Sequence, residues 1–350
     1  MIISDLELYL VEIPSHTTPK TRSLVVRLFS HAGQEGWGEA TVSWRQDELQ
    51  PRRNQILSIL AGRNVFDLEE LIHFEELQPK TVRFAIETAC WDMIGRLCKH
   101  PVHHFHGGAY RHHLPIAARL SDGTPEDIAQ SALEFAHLGY HCQTLPLTGN
   151  LETDLRRVEL LTETVGTRLE LRVDMAGKYD YETCVSLLSR WEKTNLAMVI
   201  DPLNEEHCFR GVSALQEQTE IPLVPRRGIQ SAGDVLEIAR CGNIHRLVLD
   251  PQSFGSILAV KKSAAIAEAA GIRLSLCVSG AAGPFLATVL QLSASLPAIS
   301  LGTECHPHHL QENLLTDPIE INDGLIRLPH TPGLSIEMDR VKLEKYQLSY

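Results

Sequence analysis

The chain has 350 residues, of which 43% are apolar and 22% charged, the balance of an ordinary globular protein and not of a disordered or membrane-embedded one. A formal net charge of −12 with no basic stripe excludes any general attraction to nucleic-acid phosphates or anionic lipid, so neither is an expected partner. Eight cysteines (Cys90, Cys98, Cys142, Cys184, Cys208, Cys241, Cys277 and Cys305) stand singly with no C-x-x-C pair, which fits reduced buried thiols and not disulfides or a zinc knuckle.

The first segment, "MIISDLELYLVEIP", carries Asp5 and Glu7 where a secretory signal needs a basic start and an unbroken apolar stretch, so the expected location is the cytoplasm. Alternating apolar runs, "ISDLELYLVEI" and "SLVVRLF", followed by "GQEGWGEA", predict antiparallel strands joined by a loop around "PSHTTPKTR". "TVRFAIETACWDMIGRLC" (81–98) has apolar residues at 84, 86, 90, 91, 94 and 97, a wide helical face that ends before Pro101 and the "HGG" breaker. The first hundred or so residues therefore read as an α+β unit.

From Pro115 the rhythm changes to a short apolar run followed by an amphipathic helix, repeated at the spacing of strand–helix–strand units. The predicted strands are "PIAARL", "HCQTLPL", "LELRVD", "LAMVI", "IPLVP", "IHRLVLD", "IRLSLC" and "AISL". Helices between them include "PEDIAQSALEFAHLG", "SAGDVLEIARCG" and "SILAVKKSAAIAEAAG", each closed by a glycine. This pattern predicts an α/β fold with a closed parallel barrel. The most apolar stretch, "GPFLATVLQLSASLPAI" (283–299), contains Gln291, Ser293 and Ser295 and suits a barrel helix better than a membrane span. The tail, "IEINDGLIRLPHTPGLSIEMDRVKLEKY", returns to hairpin-like character.

Several separated stretches carry a family likeness: "GWGEA" (36–40), "AIETACWDMIGR" (85–96), the glycines and tyrosine of 107–110, "LRVDMAGKY" (171–179), "IDPL" (200–203), "AEAAGI" (267–272) and the tail from Asp323 through "TPGLSIEMD". Together they make the chain resemble the enolase superfamily, in particular its muconate-lactonizing and mandelate-racemase-like members. The resemblance implies a capping α+β domain over residues 1–112 and a (β/α)7β TIM-like barrel over 113–320. It also implies a C-terminal segment, 321–350, that packs back on the cap, and an active site at the carboxyl ends of the strands. Symmetric oligomers are common in the family, and a homo-oligomer is expected. The resemblance further implies magnesium held by three carboxylates on the third, fourth and fifth strands. Lysines on the second and sixth strands move the proton, and the metal stabilises the resulting enolate.

This chain departs from that set. Asp174 keeps the first ligand position, but the asparagine of the same motif is replaced by Ala176 or Gly177. The second ligand position is Ile200, with Asp201 next door and expected, by strand alternation, to aim away from the barrel interior. In "IPLVPRRGIQ" (221–230) the fifth-strand aspartate–glutamate pair becomes Arg226 and Arg227. The second-strand lysines become Thr144 and Pro146, and the sixth-strand lysine becomes Asp250.

An arginine is permanently positive and matches a carboxylate with paired donors, so Arg226 is expected to reach Asp174 and supply charge where the family holds an ion. No metal at that place, and no cofactor, is the expectation. Asp174, Asp250 and Arg226 are then the candidate catalytic groups. Arg226 and Arg227, with Lys20 and Arg22 of the cap loop, are the candidate contacts to a small carboxylate ligand. The plainer readings are a salt bridge that stitches strand ends for Asp174 and Arg226, an outward side chain for Arg227, and a helix cap for Asp250. A second cluster in "GTECHPHHL" (302–310), with Glu304, His306 and His308, is an alternative transition-metal site. The histidines of 103–106 and 111–113 read as solvated or packing residues at the domain junction. Three functions follow: a metal-independent isomerase, cycloisomerase or lyase acting on a small carboxylate; a non-catalytic protein that binds such a ligand or a protein partner; or a transition-metal enzyme using the histidine cluster.

Overall fold

A computed structural model of the chain describes residues 1–14, 21–278, 281–305, 310 and 312–348. Strands β1 (Ile3–Ile13), β2 (Thr21–Ser30) and β3 (Glu35–Thr41) form an antiparallel sheet in the order β1-β2-β3. Leu6, Leu8 and Leu10 of β1 alternate inward, as a half-buried strand requires, and join a core with helices Gln46–Leu60 and Lys80–Cys98. The second of these helices lies directly on β3. At Gly36 and Gly38 an added Cβ would stand 2.0 Å from Ala89 O and 1.9 Å from Ala85 O, so only glycine permits that approach. This is the structural meaning of "GWGEA".

The barrel strands are β4 (His113–Arg119), β5 (Cys142–Pro146), β6 (Glu170–Asp174), β7 (Leu196–Ile200), β8 (Leu223–Val224), β9 (Arg246–Leu249), β10 (Arg273–Val278) and β11 (Thr303–Cys305). They are parallel in the order β8-β7-β6-β5-β4-β11-β10-β9, and Val248 N donates to Pro225 O at 3.2 Å across the remaining seam, so the barrel is nearly closed. Helices return the chain between strands. Those starting after Thr124, Asn150, Asp180, Ser231 and Ser256 begin on a side-chain oxygen that accepts an amide of the first turn. Along β6, Leu171 and Val173 face the helix layer, which leaves Arg172 and Asp174 facing the interior. Met198, Ile200, Val224, Val248 and Leu301 fill the middle of the barrel as an apolar plug.

Two expectations are corrected. The eighth strand is not at 298–301, where Ile299 makes only an isolated bridge to Leu274. Leu301 turns into the apolar plug, and pairing with β10 and β4 starts at Thr303. The tail is not simply hairpin-like. Its strand β12 (Leu325–Arg327) adds antiparallel to β4, but Arg340–Tyr346 is a helix, capped by Asp339 and packed on β1 through Leu343. Among the described residues no helix is long and apolar enough to cross a membrane. None of the eight cysteines forms a disulfide.

Candidate active site at the barrel mouth

Alternation brings the inward side chains of the strands together at the carboxyl end of the barrel. Arg119 of β4 pairs in register with Thr144 of β5, Pro146 with Asp174 of β6, and Cys277 of β10 with Glu304 of β11. Arg226 and Asp250 follow the ends of β8 and β9. The result is a ring of charge around one guanidinium.

Each nitrogen of Arg226 is bonded to a carboxylate. Nη2 donates to both oxygens of Asp174 at 3.0 Å, Nε donates to Asp201 Oδ2 at 3.0 Å, and Nη1 donates to Glu304 Oε2 at 3.3 Å. The main chain joins in: the amides of Arg226 and Arg227 both donate to Asp201 Oδ1 at 2.8 Å, and the Ala176 amide donates to Asp174 Oδ1 at 3.0 Å. Asp201 therefore belongs to the cluster, against the expectation that it aims away. Its φ of 49° lies in the left-handed region, where the strand's alternation no longer applies, and this turns the carboxylate back toward Arg226.

A second guanidinium, Arg119, was not foreseen. Its Nη1 donates to Asp174 Oδ2 at 2.6 Å and lies 3.9 Å from Glu304 Oε1. Its Nε and Nη2 bond to no described residue, and its side chain is 27% exposed. Within β4 the inward set is Pro115, Ala117 and Arg119, and that alternation was the available signal.

Asp174, Asp201 and Glu304 against Arg119 and Arg226 leave one negative charge in a buried site when all are ionised. The proton affinities follow. Burial pushes Asp174 up, but Arg226 and Arg119 together outweigh it and hold the group below the ordinary aspartate range. For Asp201 burial wins and the group sits above that range, despite Arg226 and the two amides. Arg226 is held firmly protonated, because its carboxylate partners overcome a large desolvation penalty. Burial drives the Cys277 thiol well above its usual value, which disfavours the nucleophilic thiolate.

The other candidates separate. Asp250 caps the short helix Pro251–Phe254, accepting from Gln252 N at 3.1 Å and Ser253 Oγ at 2.7 Å, and burial raises its proton affinity. It feels the charge of Arg226, but no hydrogen bond joins the two. Arg227 leaves the ring on the opposite side, where Nη2 meets Glu206 at 2.8 Å and Nη1 meets Ala176 O at 3.3 Å; it lines a surface pocket with Leu203, His207 and Phe209. Arg22 is held on the cap sheet by Trp44 O at 3.0 Å and Glu12 at 3.3 Å. Lys20, His306 and His308 lie outside the described residues, while Glu304 of the same stretch stands in the ring. Among the described residues no group of three or more His, Cys, Asp or Glu side chains is disposed to hold a metal ion.

The family described as "Enolase C-terminal domain-like" matches residues 127–342, well over half of the chain. The chain belongs to the enolase superfamily. Within it the likeness is to the mandelate racemase and muconate lactonizing subgroup. Muconate cycloisomerase 1 from Rhodococcus opacus is 26% identical over 337 residues, covering 91% of this chain and 90% of that protein. Chloromuconate cycloisomerase from Pseudomonas putida is 27% identical over 372 aligned positions, covering 99% of each. Among solved structures, N-succinyl Arg/Lys racemase from Bacillus cereus superposes with a TM-score of 0.91 at 20% identity, covering 100% of this chain and 99% of that one, which is a likeness of fold. These relatives are isomerases of the superfamily.

Proposed function

We propose that this enolase-superfamily chain binds a small carboxylate at the barrel mouth without magnesium, and that its own charge cluster stands in place of the metal. The observation that carries this reading is the position of Arg226, whose three side-chain nitrogens are bonded to Asp174, Asp201 and Glu304. Magnesium does not fit these residues. The point where the acids converge holds a guanidinium, and the family's second and third ligand positions are Ile200 and Arg226. At an effective dielectric of about 20, unit charges ~4 Å apart interact by roughly 4 kcal/mol, so Arg226 cancels a large part of the attraction that the three carboxylates would offer a dication.

The ligand contact is placed on Arg119, because every nitrogen of Arg226 already donates to a carboxylate of the protein. The open Nε and Nη2 of Arg119 are the side-on pair that grips a carboxylate with two donors. Arg227 and Arg22 are engaged with protein groups away from the ring. The family's lysine positions hold Thr144, Pro146 and Asp250, which favours binding without turnover. If turnover occurs, it is a metal-independent isomerisation, cycloisomerisation or elimination, with Asp250 as the titrating group at the sixth-strand position.

The test is a thermal-shift screen of small mono- and dicarboxylates in EDTA, on the wild type and on Arg119→Met. The expected result is stabilisation by at least one acid, abolished by Arg119→Met and unchanged when magnesium replaces EDTA. Stabilisation that requires magnesium, equal shifts in both proteins, or no shift with any acid would each overturn the reading.

A further inference from the structure

Far from the ring of acids, the histidines of 100–112 meet His330 of the tail. His100, His104, His103, His330 and His112 form a continuous chain of imidazoles, with successive ring centroids 5.2, 4.7, 5.9 and 5.6 Å apart. One pair is arranged differently from the others. The Nδ1 atoms of His100 and His104 face each other at 3.3 Å.

Two ring nitrogens so placed are within hydrogen-bond distance of each other. The separation is also that of two ligands on one tetrahedral ion, because zinc–nitrogen bonds of about 2.0–2.1 Å at a tetrahedral angle place the nitrogens about 3.3–3.4 Å apart. We propose that His100 and His104 form a two-imidazole site for a divalent transition-metal ion of the zinc or copper class, with water completing the coordination shell.

The pair is held in place by its backbone. His100 N donates to Gly95 O and Gly333 N donates to His100 O, both at 3.0 Å; Val102 N donates to Gly333 O at 2.9 Å and His104 N to Pro101 O at 3.1 Å. The helix Lys80–Cys98 ends on Lys99 in the left-handed conformation, which swings His100 back over the turn that carries His104. Little ordering remains to be done when an ion arrives. Both histidines are exposed, so the entry path is open.

His103 is not a ligand. It is buried, its Nδ1 bonds to Gln291 Oε1 at 2.6 Å, and it packs edge-on as a wall against His104. No third described donor converges on the pair, which makes the site bidentate. Imidazole nitrogen selects zinc, copper or nickel over magnesium and calcium, so this site is chemically separate from anything the family holds on carboxylates.

The experiment is calorimetric titration of zinc chloride into the full chain. The proteins compared are wild type, His100→Ala, His104→Ala, and the triple change His306→Ala, His308→Ala and His309→Ala. The expected result is one zinc per chain, bound at least about tenfold more weakly after either single change and unaltered by the triple change. A second readout needs no variant: zinc should move the ring resonances of His100 and His104 in the NMR spectrum of the wild type before those of any other histidine. No zinc binding by the wild type, affinity unchanged in His104→Ala, affinity lost in the triple variant, or first movement of other imidazoles would each overturn the site.

Discussion

At the scale of the residue, the site turns on which side chain neutralises Asp174. The pairing with Arg226 was legible in the sequence, because an arginine just past the fifth barrel strand matches, in charge and in paired donors, the aspartate that ends the third. Asp201 was not legible, since period-two alternation is a property of extended backbone and stops at the residue whose φ turns positive. Glu304 was read as following the last strand, because the strand itself was placed too early. The pairing with two guanidiniums carries a pH signature. Asp174 ionises more readily folded than unfolded, so its contribution to stability is present above the ordinary aspartate value of about 3.9 and is lost as pH falls through its depressed folded value. Urea denaturation of the wild type and Asp174→Asn across pH 2–5 isolates it. The gap between the two proteins should narrow as the solution becomes more acidic, and a gap that stays constant would remove the ion pairs from the explanation.

At the scale of the element, buried acids of the cap fasten it to the barrel and to the tail. Glu39 accepts the amides of Ala282, Gly283 and Phe285 at the start of helix Pro284–Ser295, and Glu87 accepts those of Ile257 and Leu258 at the start of helix Ile257–Ala269. Asp92 accepts Trp37 N and Leu334 N and pairs with Arg96. Burial raises the proton affinity of all three, and the amides offset part of that cost. These acids sit in "GWGEA" and "AIETACWD", so the stretches that carried the family resemblance carry interdomain ties, a role that spacing alone did not disclose. Glu39→Gln turns one acceptor into a donor facing an amide N–H, and the expected loss is about 1–3 kcal/mol in chemical denaturation. A neutral effect would mean that the helix start finds other acceptors.

At the scale of the whole molecule, cap, barrel and tail share an apolar cluster in addition to their own cores. Val11, Ile13, Val25 and Trp37 of the cap cluster with Ala282 and Ala287 of the barrel and with Leu334, Met338 and Leu343 of the tail. The barrel was readable because its strand–helix rhythm repeats, whereas the short helix Arg340–Tyr346 spans too few residues to show a period. Shared packing predicts coincident unfolding. In Trp191→Phe the remaining indoles, Trp37, Trp44 and Trp91, all lie in the cap, so the fluorescence midpoint should match that of far-UV circular dichroism, and separate midpoints would show the cap melting alone. The most direct measurement on the central claim is calorimetric titration of magnesium into the intact protein, beside Arg226→Asp. No binding to the wild type and measurable binding to the variant is the expected pair of results. Stoichiometric magnesium on the wild type, lost in Asp174→Asn, would contradict it.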